Sequence, residues 1–497
     1  MSINVYPVIK TEDVCNDYRV LVNGKEAELN TARVSAHPFN RRWPGHQRQK
    51  NQSELINFLS FETDEKVEFE IIPKNSFEKV EVRPKSLGIV PEITSDGHIK
   101  FSLEKPAYFT VEPYGRHNAL HVFADPVKKY DVDINDENVI YYGKGEHDVG
   151  NIVLKSGQTL FLDEGAVVYS CIYAEDAKDI KILGRGILDN SKNKEEILFE
   201  INAENNDADV RNAKRQHTVR LEYCENIEID GITIRDSLVY NIRPICCQNL
   251  NIRNVKIIGC WRYNSDGIDM HNCENVEISD CFIRTFDDSI CIKGFDFYQN
   301  EADMLHNGKM YDVFKNAHIS NCTIWNDWGK SLEIGAETRA KEICNIVFEN
   351  CDIIHVTGPV LDCYNVDYAD VHDLVYRNIN VEYDDVILKS RIQKNDEETY
   401  VNPGDENHSP YLLSSIVEFH KEYSAGGTIR GKNRRITFEN ISLYGKQRIR
   451  LAFTGSDMEH KSSDIKIINL RHNGERITDF SQTDLIMTET TENITIE

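Results

Sequence analysis

From about Tyr141 to the C-terminus the chain repeats one pattern of apolar and polar positions. A turn residue is followed by alternating apolar and polar positions rich in Ile and Val. Then comes Asn or Asp-Gly-like punctuation, and then a second short alternation. The pattern reads AKDIKILGRGIL from Ala177, CENIEIDGITIRDS from Cys224, CQNLNIRNVKIIGC from Cys247 and CENVEISDCFIRTF from Cys273. It continues as KNAHISNCTIW from Lys315, CNIVFENCDIIHV from Cys344, VHDLVYRNINVEY from Val371, RRITFENISLYG from Arg434 and SSDIKIINLRHNG from Ser462. A period of two predicts strands rather than helices. Asn226, Asn249 and Asn275 are 23 and 26 residues apart, about one turn of a solenoid.

One such coil cannot bury its apolar face alone, but a stack of coils makes a continuous core. The fold class expected is all-β, a right-handed parallel β-helix over residues 126–497. Residues 1–125 lack the repeat. They show short alternating runs (Lys66–Ile72, Lys79–Arg83) between turn signals such as Ser95-Asp96-Gly97. That pattern predicts a small N-terminal β-sandwich. The recurring asparagines read as structural, each bonding the backbone of its own turn. Three segments, 190–216, 295–315 and 385–430, swell the coils and are expected to shape a groove, blocking one end and favouring exo action.

The net charge of −25 argues against nucleic acid as a partner. No run of about 18 apolar residues is present, which argues against a membrane-spanning helix. Met1 to Lys10 lacks the basic and apolar regions of a secretory signal. The 13 cysteines have no metal spacing. Cys224, Cys247 and Cys273 recur at one place in the repeat and read as stacked buried hydrophobes. Together these features predict a cytoplasmic protein with no metal and no cofactor. The ends of a stack need covering, which leaves room for a homo-oligomer.

The candidate chemistry lies in Asn264-Ser265-Asp266-Gly267-Ile268-Asp269 and in Asp287-Asp288. Asp266 and Asp287 are 21 residues apart, about one coil, so the acids should stack on one face. Crowded carboxylates raise each other's pKa, a cost met mainly in metal sites and acid–base sites. Glycosidic cleavage needs one carboxyl that holds a proton and another that is ionised. The expected catalytic residues are therefore Asp266, Asp287 and Asp288. Substrate contacts are expected from Asp269, from Trp261, Arg262 and Tyr263 just before the motif, and from Lys293, Trp328, Lys330, Glu333 and Glu337. His271 and His355 read as structural.

These motifs resemble those of the polygalacturonases, glycoside hydrolase family 28, whose pattern is Asn-Thr-Asp-Gly-x-Asp followed by Asp-Asp one coil later. The resemblance spans roughly Tyr141 to Asp385. An N-terminal β-sandwich before the helix is similar to family 49, the dextranases and isopullulanase. The resemblance implies Asp287 as general acid, Asp266 and Asp288 activating water, and inversion of the anomeric centre. Two stretches depart from the family. Lys330, in Trp328-Gly329-Lys330-Ser331, stands where the family has the histidine of Gly-His-Gly. The basic Arg-Ile-Lys that grips a uronate is absent near Val360-Leu361-Asp362-Cys363, where Asp362 would repel one. The substrate expected is therefore a neutral oligosaccharide, such as an α-glucoside or α-galactoside. The alternatives are a polygalacturonase, a Ca²⁺-dependent pectate-lyase-like enzyme and a non-catalytic carbohydrate-binding solenoid.

Overall fold

In a computed structural model the chain is described except at residues 1–2, 11–13, 37–38, 41–49, 193–216, 297–298, 390, 393–407, 422 and 426–428. The repeat forms a right-handed parallel β-helix whose strands lie in one continuous 31-stranded system. Most coils give three short strands, each stacked on its counterpart in the next coil. One column runs through Glu225–Asp230, Gln248–Arg253, Glu274–Ser279, Val313–Ser320, Glu342–Glu349, Asp370–Glu382 and Lys432–Tyr444. A second runs through Thr233–Arg235, Lys256–Ile258, Phe282–Thr285, Thr323–Asn326 and Asp352–His355. The third runs through Ile242–Ile245, Ile268–His271, Ile290–Lys293, Leu332–Ala336, Leu361–Asn365 and Tyr411–Val417. Inward-facing Ile, Val, Leu and Cys from all three columns form one long core. This is where the period-two alternation leads: every second side chain enters the helix and the others face out.

The recurring asparagines are structural, but they bond one another. Asn249 donates to Asn226 at 2.9 Å, Asn275 to Asn249 at 3.1 Å, Asn316 to Asn275 at 3.0 Å and Asn345 to Asn316 at 3.2 Å. The expected bond to the backbone of the same turn gives way to a ladder between turns. Each of these asparagines sits at positive φ, near 55°, where Asn is better tolerated than most residues. That conformation aims the amide along the stack. All thirteen cysteines are free and buried, and Cys247 and Cys273 direct their thiols at backbone carbonyls of the preceding coil.

Before the helix, residues 4–126 form two sheets. One contains Ser53–Thr63, Leu120–Pro126, Ala107–Arg116 and Glu81–Arg83, and the other Tyr18–Val22, Val67–Pro73 and Ile99–Leu103. Their facing sides share a core of Val20, Leu59, Phe61, Phe69, Ile71, Phe101 and Phe109. The first sheet is buried on its outer face too, where Ile56, Phe58, Tyr108 and Phe123 pack on Ile258, Phe282, Trp325 and Ile354 of the second helical column. Ser53–Thr63 is therefore buried without a break from Ile56 to Phe61, Asn57 and Ser60 included, as a strand covered on both faces must be. Buried ion pairs cross the same junction: Lys256 to Asp125 at 3.0 Å, Arg83 to Glu382 at 2.5 Å, and Arg116 to Asp327 at 2.5 Å.

Candidate active site

The second and third columns are joined by a row of turns, and this row carries the acids. One turn ends in Asp266-Gly267, the next holds Asp287-Asp288, the next Trp328-Gly329-Lys330, and the next Thr357-Gly358-Pro359. Glycine lets these turns stack closely. A Cβ on Gly329 would lie 2.5 Å from the Asp287–Asp288 peptide, and one on Gly267 would lie 2.2 Å from the Ser289 carbonyl oxygen. The Asp287 carbonyl is fixed from below and beside by Thr285 Oγ1 and Asn326 Nδ2, both at 2.7 Å. The backbone N–H of Lys330 donates to Asp288 Oδ1 at 2.8 Å. Asn264 Nδ2 faces Asp287 Oδ2 at 3.5 Å.

The structure brings the three expected acids together. One carboxylate oxygen from each of Asp266, Asp287 and Asp288 lies within 4.8 Å of the others. They line a cavity of about 360 Å³ with Tyr263, Asn264, Lys293, Trp328, Lys330, Glu333 and Glu337. Trp328 stacks on Phe286 at 5.4 Å between ring centroids and lies 5.5 Å from the Tyr263 ring, which gives an aromatic wall. Such a wall suits the apolar face of a sugar ring.

The charges behind this wall form two knots. Lys293 Nζ lies 3.1 Å from Asp269, 3.4 Å from Glu337 and 3.9 Å from Asp288. Lys330 Nζ pairs with Glu333 and lies 2.9 Å from Asp362. Burial works against both ammonium charges, but the carboxylates outweigh it and hold both lysines well above the usual range. The acids move the other way. Burial, then Asp269, Asp287 and Asp288, push Asp266 well above the carboxylate range, and one of its oxygens has no hydrogen-bond partner. Burial and then Asp288 push Glu333 up in the same direction. Asp266 and Glu333 thus hold their protons to higher pH than ordinary carboxyls while Lys293 and Lys330 favour ionisation of others, the asymmetry acid–base cleavage needs. The three clustered acids are also the kind of oxygen set a hard divalent cation accepts.

Three expected contacts lie elsewhere. Trp261 and Arg262 turn away from the acids: Trp261 Nε1 donates to Asp236 at 3.2 Å and Arg262 pairs with the same carboxylate. Both line a different, cation-rich depression against the N-terminal sheets. The chain reverses between Arg262 and Tyr263, so sequence neighbours face opposite sides. Asp269 sits fully buried behind the cavity, in register with Cys291, Glu333 and Asp362 on successive coils, and supports Lys293. Other cavity residues escaped the sequence reading: Tyr240, Tyr364, Lys389, His408 and Tyr423. Tyr364 was within reach of coil register, because it pairs with Gly335 two residues after Glu333. Lys389, His408 and Tyr423 come from the long inserted segment, which carries no repeat to align. The expected blocking of the groove by inserted segments falls largely on residues 193–216 and 393–407, outside the described residues.

Comparison with known proteins gives three findings. The model for glycosyl hydrolases family 28 matches residues 151–402, roughly half of the chain. A probable polygalacturonase of Vitis vinifera is 34% identical over 86 residues, covering 17% of this chain and 18% of the relative. An exopolygalacturonase of Arabidopsis thaliana, clone GBGE184, is 25% identical over 182 residues, covering 33% of this chain and 43% of the relative. The chain thus spans less than half the length of these curated relatives. Among solved structures, Dex49A from Penicillium minioluteum matches with a TM-score of 0.52 and 13% identity over 100% of both chains, a likeness of fold.

The expected neutral substrate is overturned by these relatives, whose names point to polygalacturonase. The structure shows where the inference failed. Asp362 was taken as a free charge that would repel a uronate, but Lys330 and the Ser414 hydroxyl both bind it. Basic groups also reach the cavity from outside Val360–Cys363: Lys293, Lys330, and Lys389 and His408 of the long inserted segment.

Proposed function

Because the chain belongs to glycosyl hydrolases family 28, we propose that it hydrolyses O-glycosidic bonds of a galacturonan. The observation that carries this reading is the convergence of Asp266, Asp287 and Asp288 on an aromatic-walled cavity, on consecutive coils of the matched region. Asp287 and Asp288 are the more accessible acids of the three and Asp266 the deepest. Asp287 protonates the leaving oxygen, and Asp266 with Asp288 holds and deprotonates the attacking water. Burial and the neighbouring acids hold the Asp266 proton more tightly than that of an ordinary aspartate. Lys293 and Lys330 offset the negative field that would otherwise exclude a uronate.

The outcome proposed is inversion. It rests on the likeness of the Asp266 and Asp287-Asp288 motifs to the family pattern, while the acids, with one oxygen of each within 4.8 Å of the others, stand closer than the about 6.5–9.5 Å usual for inverting pairs. We also propose a reducing compartment as the working environment, on the strength of thirteen free thiols.

The test is reducing-sugar release from oligogalacturonides of defined length, wild type beside Asp287→Asn. Loss of on the order of 10²–10⁴-fold in kcat is expected for a missing acid. Proton NMR of the first-formed anomer reports the stereochemistry. Cleavage of neutral α-glycosides with no action on galacturonides would overturn the substrate. Activity abolished by chelator and restored by Ca²⁺, with unsaturated products, would overturn hydrolysis.

A further inference from the structure

Outside the cleft, one cluster combines three different metal-ligating side chains. Glu342 and Cys344 lie on the strand Glu342–Glu349, and His372 on Asp370–Glu382. Cys344 and His372 are direct register partners on adjacent parallel strands. Glu342 precedes Cys344 by two residues and so shares its face. The carboxylate, thiol and imidazole atoms lie within 4.8 Å of one another, and His372 Nε2 is 2.6 Å from Glu342 Oε1.

The far side of the imidazole is also built. His372 Nδ1 lies 2.7 Å from Asp373 Oδ2, and Arg435 grips both Asp373 oxygens at 2.7 and 2.8 Å. A carboxylate behind the remote nitrogen orients the ring, as the outer partners of metal-ligating histidines do. Of the cations in the same column, Lys315 pairs with Glu274 at 3.2 Å and Arg434 with Asp370 at 2.8 Å, while Arg435 Nη2 also lies 2.9 Å from His372 Nδ1. The stacked cysteines Cys224 and Cys247 aim their thiols at backbone carbonyls. Cys344 faces a carboxylate and an imidazole.

We propose that Glu342, Cys344 and His372 form a binding site for a borderline divalent cation such as Zn²⁺. One nitrogen, one sulfur and one oxygen ligand match the donor preferences of that ion, with water in the fourth position. On binding, the Cys344 thiol loses its proton to solvent and gives the thiolate–metal bond. The His372 imidazole would bind the ion through Nε2, with Nδ1 toward Asp373. The ion would tie two neighbouring coils together on the face away from the catalytic turns.

The experiment uses the full chain under a phosphine reductant, titrated with Co²⁺. The expected result is a thiolate-to-cobalt charge-transfer band that saturates at one equivalent. The band should vanish in Cys344→Ala and persist in Cys291→Ala, which removes the thiol beside the catalytic acids. Asp373→Asn should weaken binding by about 10–100-fold, as loss of an orienting partner does. Zn²⁺ should raise the thermal midpoint of wild type and leave that of Cys344→Ala unchanged. Glu342→Gln provides a second variant should Cys344→Ala fold poorly, and it should weaken the band. No thiolate band, or a band that survives in Cys344→Ala or is lost in Cys291→Ala, would overturn the site.

Discussion

Replacing Asp266 by Asn should inactivate the protein and, as pH rises, stabilise it. The reason lies in the proton this carboxyl keeps. In the unfolded chain Asp266 ionises at the ordinary aspartate value of 3.8, while in the fold burial and three neighbouring carboxyls push it well above that. Between those two values the folded state binds a proton that the unfolded state has lost. Stability of the wild type therefore falls with rising pH through this window, and Asn, neutral throughout, is spared. Each pH unit within the window is worth about 1.4 kcal/mol. The variant should thus gain on the wild type as pH rises from 5 toward 7, up to the pH at which the folded carboxyl ionises. Burial and the fields of Asp269, Asp287 and Asp288 together set that shift, so the gain reflects the whole cluster. The assay is urea unfolding at fixed ionic strength at both pH values, read by tryptophan fluorescence and far-ultraviolet dichroism. Galacturonide cleavage should fall in the same variant by on the order of 10²-fold or more. A stability difference that does not change between pH 5 and pH 7 would refute the claim that the fold stores a proton there.

Three further outcomes follow from geometry. Gly329→Ala should lower kcat more than it alters secondary structure, because its Cβ would meet the Asp287–Asp288 peptide at 2.5 Å. Steady-state kinetics beside circular dichroism checks this. Trp328→Ala should raise KM for oligogalacturonides, since it removes the central ring of the Tyr263–Trp328–Phe286 wall; an unchanged KM would place the sugar elsewhere. Arg116→Ala should cost less than the about 3–5 kcal/mol usual for stranding a buried charge. Asp327, fully buried, would keep Arg284 at 3.2 Å and the Trp325 Nε1 donor at 2.8 Å, and denaturant titration measures the loss.

The repeat was legible because it is one-dimensional. Alternation named the strands, coil length placed Asp287 beside Asp266, and neither required knowledge of distant contacts. The asparagine ladder was half legible: spacing marked the position, but the partner is set by a positive-φ backbone that composition does not display. Trp261 and Arg262 were misplaced because proximity in sequence says nothing about the hand of a turn at a coil corner. The substrate inference failed for a deeper reason. It assigned a charge to Asp362 without its counter-ion, and that counter-ion, Lys330, lies one coil away. Pairing across coils also explains why Asp269 looked like a contact and turned out to be a support. Lys389, His408 and Tyr423 stay invisible to any periodic reading, since insertions have no register.

The acids come from consecutive coils, and this restricts how such a chain can change in length. A solenoid tolerates gain or loss of a whole coil wherever each strand meets an equivalent neighbour. Here a coil inserted between Asp266 and Asp287 would part the two carboxyls by about one strand spacing, 4.8 Å, while leaving the strand ladders and the core inside the helix satisfied. It would also shift Ile258 relative to Phe282 beneath the N-terminal sheet. Duplication between Tyr240 and Tyr423, the outermost cavity residues, is therefore fatal to the chemistry. In lineages that vary coil number, that stretch should keep a constant count.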